Sequence, residues 1–250
     1  MPAPIALQLY TVRDTLVGDF EGVVRHVAAI GYAGVEPAGF YGSGPAEAAA
    51  LFTDLGLQVP SAHLPMPVGD ARAESIDTAS ALGAGRIVSG LGPDGFETID
   101  ALNRSCAVFN EAAAAAGEAG LRFAIHNHWW EFGEIDGRAA FDLMLERLDP
   151  AVEFEVDTYW AQTAGSDPAA VVGRLGMRAA LLHIKDGPCT RDEPMTAVGD
   201  GKVDFPAIVA AAAGTTEWMI VELDVCATDM MAAVEKSYAY LIEKELARGR

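Results

Sequence analysis

The segment from Phe20 to Glu36, FEGVVRHVAAIGYAGVE, joins a helical stretch, a glycine and a short apolar run. Its apolar residues recur with helical spacing and form one stripe, at Phe20, Val23, Val24, Val27 and Ile30. Glycine ends a helix at low cost, because without a Cβ it adopts the left-handed conformation. Gly31 therefore indicates a turn from a helix into a strand at Gly34–Glu36.

The same pattern recurs along the chain. The glycines that follow a helical stretch are Gly31, Gly56, Gly83, Gly120, Gly176 and Gly214. The runs after them are too short for helices and apolar on both faces, as in a buried parallel sheet. In total the pattern predicts eight strands, at Ile5–Leu9, Gly34–Glu36, Gln58–His63, Arg86–Ser89, Arg122–His126, Val152–Asp157, Ala179–Ile184 and Trp218–Glu222.

This alternation of strands and helices predicts an all-parallel α/β fold. Eight units of about thirty residues each match the size of a (β/α)₈ barrel, and a doubly wound open sheet is the alternative. No linker rich in Pro, Ser and Gly divides the 250 residues. We therefore expect one TIM-barrel domain over residues 1–250.

The charge balance argues against several kinds of partner. Seventeen Lys and Arg against 36 Asp and Glu give a net charge of −19, and the basic residues do not cluster. Nucleic acid and anionic membrane are therefore not expected as partners. No apolar run reaches the roughly 18 residues of a membrane span, and we find no signal-peptide pattern. Three widely spaced cysteines suggest a reduced, cytoplasmic protein; a homo-oligomer stays open.

Polar residues stand at or beside the ends of six predicted strands: Glu36, His63, His126, Asp157, His183 and Glu222. In such a barrel the active site lies at the carboxyl ends of the strands. A second tier follows two residues further along the same faces: His128, Tyr159, Lys185 and Asp224. Each residue alone could simply mark the point where burial stops. Together, however, buried ionisable groups need partners or a cation.

Four of these residues predict a metal site: His126, Asp157, His183 and Glu222. Two imidazoles and two carboxylates from consecutive strands suit Mn²⁺, Co²⁺, Zn²⁺ or Fe²⁺ better than Mg²⁺ or Ca²⁺. We therefore expect one divalent metal ion as cofactor.

Other motifs are weaker. The chain has no GxSxG, P-loop, HExxH or GxGxxG signature after the first strand. Gly199–Lys202 (GDGK) follows strand seven, where barrels often hold phosphate, yet a simple turn explains it equally well. Aromatic residues cluster beyond the strand ends, where they could stack on a sugar or simply cap the barrel: Phe40, Trp129, Trp130, Tyr159 and Trp160.

The order of these motifs resembles the sugar isomerase and epimerase superfamily with the xylose-isomerase-like TIM barrel, over essentially the whole chain. The stretches that carry the resemblance are LQLYTVRD at 7–14, GVE at 34–36, SAH at 61–63, IHNH at 125–128, EVD at 155–157, HIKD at 183–186, GDG at 199–201 with VDF at 203–205, and VE at 221–222. Relatives commonly hold one divalent metal with Glu, Asp, His and Glu from strands five to eight. Asp157, His183 and Glu222 match the last three, and His126 replaces the first.

The resemblance implies an isomerase or epimerase that acts on a keto sugar or related carbohydrate through a metal-stabilised enediolate. Epimerases of the family pair two glutamates on opposite faces of the substrate, and His126 replaces one of them. As acids, bases or their partners we expect Glu222, Glu131, Lys185 and His128. As substrate contacts we expect Gln8, Glu36, His63, Trp130, Trp160 and Asp224. Two alternatives stay open: a lyase or dehydratase acting on a keto cyclitol or 3-keto glycoside, and a sugar-binding barrel without catalysis.

Overall fold

Eight parallel strands form the centre of the structure, a computed structural model that describes residues 1–250. Numbered along the chain, they are β1 Ile5–Gln8, β2 Gly34–Glu36, β3 Ala62–His63, β4 Arg86–Ser89, β5 Arg122–His126, β6 Val152–Asp157, β7 Leu181–Ile184 and β8 Trp218–Val221. They pair in the order β2-β1-β8-β7-β6-β5-β4-β3. A bridge between Gly34 and Gln58 joins β2 to the segment before β3. The sheet therefore closes into a barrel, which confirms the predicted (β/α)₈ fold.

Ten α-helices surround the strands. They are α1 Arg13–Leu16, α2 Phe20–Ile30, α3 Pro45–Asp54, α4 Arg72–Leu82, α5 Ile99–Glu118, α6 Ala140–Leu145, α7 Thr158–Thr163, α8 Pro168–Leu175, α9 Phe205–Ala211 and α10 Met230–Glu243. A short antiparallel hairpin, Glu134–Ile135 with Arg138–Ala139, lies between β5 and β6. None of the helices combines the length and apolarity needed to span a bilayer.

Helix α2 shows how the local sequence sets an element. The Asp19 side chain accepts a hydrogen bond from Gly22 N and so caps the first turn. Val24 and Val27 on the apolar stripe are buried against the barrel. Gly31 ends the helix with φ 117°, a conformation that residues with a Cβ rarely adopt.

Strand β3 is shorter than the sequence predicts. Only Ala62–His63 form a strand, and Gln58 makes an isolated bridge. Between them lies Pro60, which has no N–H to donate to a neighbouring strand. The prediction of a continuous strand over Gln58–His63 is therefore wrong in its first half.

Small apolar side chains fill the lower part of the barrel and support the polar residues above. Leu181 in β7 and Ile220 in β8 belong to this buried layer. Two residues further on stand His183 and Glu222, and alternation along a strand points them to the same side as the apolar pair. The register of the sheet thus places an apolar floor beneath a polar mouth.

Candidate active site and metal centre

The four predicted metal ligands converge at the mouth of the barrel. His126 ends β5, Asp157 ends β6, His183 lies in β7 and Glu222 directly follows β8. Each offers a donor atom, and the four donors lie within 4.8 Å of one another. His126 Nε2 is 3.5 Å from Asp157 Oδ2, and His183 Nδ1 is 2.8 Å from Glu222 Oε2. The predicted set is therefore one spatial cluster of four side chains. It is called the metal cluster below, after the single ion that it could hold.

One buried atom of each ligand lacks a hydrogen bond. The four atoms are His126 Nε2, Asp157 Oδ2, His183 Nδ1 and Glu222 Oε2. A buried polar atom without a partner costs about 1–3 kcal/mol. A divalent cation would satisfy all four atoms together, and this mixed nitrogen and oxygen set matches the preference of Mn²⁺, Co²⁺, Fe²⁺ and Zn²⁺. The residues therefore fit the metal that the sequence predicts.

Lys185 supplies the positive charge closest to the cluster. Its Nζ lies 3.0 Å from Asp157 Oδ2, 2.7 Å from Glu222 Oε2 and 2.9 Å from Asp224 Oδ2. Only the contact with Asp224 has the geometry of a hydrogen bond. Burial acts to lower the pKa of Lys185, but these carboxylates outweigh it and hold the pKa well above its usual value. The side chain is therefore a permanent cation.

A different group of polar residues, called the lower tier below, lies beneath the metal cluster and orients His183. His183 Nε2 is 2.9 Å from Glu36 Oε1 and 3.0 Å from Glu155 Oε2. Gln8 Nε2 donates to Glu36 Oε1 at 2.7 Å, and Ser61 Oγ donates to Glu36 Oε2. With its Nε2–H directed at these carboxylates, the ring presents Nδ1 to the metal cluster. Partners of this kind commonly fix the tautomer of a metal-binding histidine.

The lower tier also contains a second set of possible ligands: His63, His126, Glu155 and His183. His126 and His183 belong to both sets. Each ring would use one nitrogen for the upper set and the other for the lower set. The nitrogens on the lower side are His126 Nδ1 and His183 Nε2, which lie 3.8 and 3.0 Å from Glu155 Oε2. Two ions at once would require both rings to lose both protons. The two sets are therefore alternatives for a single ion, and the atoms without a hydrogen bond on all four members of the upper set favour that set.

Protonated histidines balance the negative charge of the buried carboxylates in the lower tier. Burial acts to lower the pKa of His63, but Glu36 and Glu155 outweigh it and raise the pKa to about 10. Against the same effect of burial, Glu155 and Glu222 hold the pKa of His183 well above its usual value. In contrast, burial and the neighbouring His183 hold the pKa of His126 well below its usual value. Metal binding would therefore use a neutral His126 ring and displace a proton from His183.

The cavity above the metal cluster, called the reaction cavity below, has a volume of about 300 Å³. Its walls are formed by Tyr10, Ala38, His63, Gly90, His126, His128, Lys185, Glu222 and Asp224. Four predicted residues outside the metal set line this cavity: His63, His128, Lys185 and Asp224. His63 and Asp224 reach the cavity, as predicted substrate contacts should. Gln8 and Glu36 are completely buried below it and bond to each other.

The predicted aromatic contacts stand beside the cavity rather than in its wall. Trp130 stacks on His128 with 4.1 Å between ring centroids and donates its Nε1–H to Leu91 O. Trp160 lies 5.7 Å from Lys185 Nζ, measured to the ring centroid. Both tryptophans thus pack against residues that line the cavity.

Glu131 lies behind the site. Its side chain is fully buried, and its Oε2 accepts the backbone N–H of His128 at 2.8 Å, whereas Oε1 has no partner. Burial raises the pKa of Glu131 to about 8. The carboxyl group is therefore protonated at neutral pH and supports the segment that carries His128.

Sequence reasoning missed Glu155 and Tyr10. Glu155 stands two residues before Asp157 in β6, so strand alternation could have placed it on the same face. Tyr10 lies in the helical turn Leu9–Val12 after β1, and its position in the cavity wall depends on that turn.

The GDGK segment after β7 does not present free amides to a phosphate. Asp186 accepts the backbone N–H groups of Gly187, Gly199, Gly201 and Val203. Lys202 Nζ donates to Pro188 O at 3.1 Å. The interpretation of Gly199–Lys202 as a turn therefore accounts for this segment.

Comparison with known proteins places the fold. At 25% identity, a sugar phosphate isomerase/epimerase from Parabacteroides distasonis superposes with a TM-score of 0.85, covering 99% of this chain and 96% of that one. An L-ribulose 3-epimerase at 19% identity has a TM-score of 0.72, with 98% and 94% covered. The IolI protein, whose crystal structure contains a zinc atom, has 15% identity and a TM-score of 0.74, with 98% and 99% covered.

No curated protein matches this sequence. In contrast, the sequence profile of one protein family matches residues 24–243, which is most of the chain. Together with the closed barrel and its polar mouth, this match shows that the chain belongs to the family described as xylose isomerase-like TIM barrels.

Proposed function

We propose that the protein is a divalent-metal-dependent isomerase or epimerase that acts on a keto sugar or a related carbohydrate. The observation that carries this proposal is the set of four buried residues whose donor atoms lie within 4.8 Å of one another beside a cavity. Each of the four has one buried atom without a hydrogen bond. The names of similar structures support it, since they include a sugar phosphate isomerase/epimerase, an L-ribulose 3-epimerase and a zinc-containing protein.

His126, Asp157, His183 and Glu222 would hold the ion, which we expect to be Mn²⁺, Co²⁺, Zn²⁺ or Fe²⁺ rather than Mg²⁺. An ion held by these residues would supply Lewis-acid polarisation of a substrate carbonyl, which makes the neighbouring C–H more acidic.

We assign removal of that proton to Glu222. Its side chain lines the reaction cavity. Burial acts to raise the pKa of Glu222, but Lys185 and His183 outweigh it and hold the pKa well below its usual range. The carboxylate is therefore ionised throughout the neutral pH range, as a general base must be.

Lys185 and His128 complete the proton chemistry in this proposal. The Lys185 ammonium borders the cavity and can donate to a substrate oxygen that becomes negative. Burial, followed by the charge of Lys185, lowers the pKa of His128 to about 3, so its ring is neutral. His128 therefore serves as a hydrogen-bonding partner for substrate hydroxyls, and Glu131 holds its backbone in place.

Metal analysis tests the ligand assignment. We expect His183→Ala to lose the bound divalent ion and the activity together, because no nearby group replaces Nδ1. His26→Ala is the matched control, since that imidazole is on the surface and pairs only with Glu235. Full metal occupancy and turnover in His183→Ala would remove His183 from the site.

The reaction is tested by incubating metal-reconstituted protein in D₂O with keto sugars, keto cyclitols and 3-keto glycosides. We expect deuterium next to the carbonyl, recovered in an isomer or epimer of the substrate. An unsaturated product would identify the lyase alternative instead. A ligand that binds without exchange would identify a sugar-binding barrel, and it would refute the enzymatic proposal.

A further inference from the structure

A second cavity, of about 280 Å³, adjoins the reaction cavity. Asp224 belongs to the walls of both cavities. Lys185 bonds to Asp224 from the side of the reaction cavity, and the ring of Trp160, which lines the second cavity, lies 5.7 Å from the same ammonium. The Lys185–Asp224 ion pair therefore lies at the boundary between the two cavities. Residues of the second wall include Trp160, Arg191, Glu193, Met195, Asp224 and Val225.

Backbone hydrogen bonds build this second cavity from two loops. Met195, in the loop after β7, donates its N–H to Val225 O at 2.9 Å and accepts the N–H of Ala227 at 2.9 Å. The Met195 sulfur accepts the N–H of Asp224 at 3.4 Å. The loop after β8 is therefore attached to the loop after β7 like an added strand, and the cavity is preformed.

The wall of the second cavity combines apolar surface with carboxylates. Trp160, Met195 and Val225 supply the apolar surface, and Val225 is 59% exposed. Glu193 and Asp224 stand beside it and can accept hydrogen bonds from hydroxyl groups. Such a surface matches a sugar ring, which has an apolar C–H face and a rim of hydroxyls.

Charge in the second cavity disfavours a phosphorylated ligand, and the ammonium beside the reaction cavity is already engaged. In the reaction cavity, the Lys185 ammonium is already shared among Asp157, Glu222 and Asp224. In the second cavity, the basic residue Arg191 lies over the ring of Trp129, at 5.3 Å from its centroid, and shares the wall with three carboxylates, Asp192, Glu193 and Asp224. A phosphate in the second cavity would therefore meet a net negative surface.

We propose that the second cavity binds a further uncharged sugar ring, linked by a glycosidic bond to the ring held above the metal cluster. The preferred substrate is then an unphosphorylated keto glycoside of two rings rather than a free monosaccharide. This inference rests on the proposed function, since it takes the reaction cavity as the place of the keto ring. Asp224 is the residue that borders both rings in this arrangement.

Calorimetric binding to the metal-reconstituted protein tests the inference. The ligands are uncharged 2-keto and 3-keto hexosides, each as the methyl glycoside and as the corresponding two-ring glucoside, together with their 6-phosphates. We expect a two-ring glucoside to bind at least about tenfold more tightly than its methyl glycoside, and the phosphates to bind more weakly than either. Equal or weaker binding of every two-ring ligand, or tighter binding of the phosphates, would overturn the inference.

Val225→Trp would fill the second cavity without touching the reaction cavity. We expect this variant to lose the advantage of the two-ring ligand while keeping the affinity for methyl glycosides and the metal content. Met177→Trp is the control, because Met177 is similarly exposed but lies before β7, at the amino end of the strands. A Val225→Trp protein that keeps the full advantage would contradict the assignment.

The two proposals fail in different ways. If neither ligand size binds and no deuterium exchange occurs, the proposed function is wrong, and this inference falls with it. If methyl glycosides bind and exchange as well as two-ring ligands do, the proposed function stands and only the second sugar site is refuted.

Discussion

Individual residues at the barrel mouth have distinct roles although their chemistry is similar. Glu222 and Glu36 both contact His183, one at each ring nitrogen. Glu222 borders the reaction cavity, whereas Glu36 is fully buried among hydrogen-bond donors. The Glu222 carboxylate can therefore bind a metal or move a proton. The Glu36 carboxylate can only orient the imidazole of His183, which lies between the two.

Glu36→Gln should therefore weaken metal binding without removing a ligand. The amide cannot hold the Nε2–H of His183 with the strength of a carboxylate, so the ring orientation and its basicity suffer. We expect the Kd for the divalent ion to rise about 10- to 100-fold, as is typical for partners of metal-bound histidines. Competition with a fluorescent chelator measures this directly. Glu47→Gln, in exposed α3, is the control, and an unchanged Kd in Glu36→Gln would mean that Glu36 does not orient His183.

Glu131 should make stability depend on pH. Burial raises its pKa to about 8, so the folded protein keeps a proton that the unfolded chain releases near its ordinary value of 4.5. The contribution of Glu131 to the free energy of unfolding is therefore highest below pH 4.5. It decreases as the pH rises from 4.5 to about 8.

Urea unfolding of metal-free protein between pH 5 and pH 8 measures this effect. Glu131→Gln cannot release a proton, so we expect it to gain stability relative to the wild type as pH rises, by a few kcal/mol at most. Glu134→Gln, an exposed neighbour in the hairpin, should follow the wild type. Parallel pH curves for Glu131→Gln and the wild type would contradict a buried neutral carboxyl group.

At the scale of an element, the loop after β7 is organised by one carboxylate. The Asp186 carboxylate accepts hydrogen bonds from four backbone N–H groups, and the one furthest along the chain belongs to Val203. The approach is so close that a Cβ on Gly201 would lie 2.0 Å from Asp186 Oδ1. The GDG motif is thus explained by packing around a buried carboxylate.

Asp186→Ala should therefore destabilise this loop. Buried donors lose a charged acceptor, and we expect the free energy of unfolding to fall by about 3 kcal/mol. Hydrogen exchange should show the largest loss of protection at Gly199, Gly201 and Val203. Asp192→Ala is the control, because that carboxylate is exposed in the same loop. Native protection of these three amides in Asp186→Ala would show that the loop is held by other contacts.

At the scale of the whole molecule, an ion-pair cluster closes the lower end of the barrel. Arg86, at the start of β4, is 1% exposed and contacts Glu153 in β6 and Glu217 before β8, the latter at 2.6 Å. Arg122 joins the cluster from β5. Hydrogen bonds from Arg122, against an opposing effect of burial, lower the pKa of Glu217 to about 2. The cluster thus connects strands from both halves of the sheet.

Replacing Arg86 with methionine should destabilise the barrel, because Glu153 and Glu217 lose a buried partner. We expect the free energy of unfolding to fall by about 3 kcal/mol, measured by urea denaturation at pH 7. Arg72→Met removes a surface pair with Glu118 and should cost less than about 1 kcal/mol. Similar small losses in both variants would show that the lower cluster adds no more than a surface ion pair.

The sequence by itself predicted the fold, which the structure confirms, and the four candidate metal ligands that the fold brings together. Seven of the eight apolar runs follow a helical stretch, six of them after a glycine, and this repeat favours a closed parallel barrel. In such a barrel the carboxyl ends of the strands meet, so His126, Asp157, His183 and Glu222 are brought together by register alone. These conclusions depend only on the spacing of apolar residues and on the succession of strands and helices along the chain, both of which can be read from the sequence.

Tertiary structure alone decided which polar residues line the reaction cavity and which lie beneath it. Gln8 and Glu36 end adjacent strands, as His63 ends β3, yet only His63 reaches the cavity. The depth of a side chain in the barrel depends on strand tilt and on the loops that cover it, and neither is encoded in a short motif. The second cavity arises in the same way, because it exists only where two loops, distant in sequence, are joined by backbone hydrogen bonds.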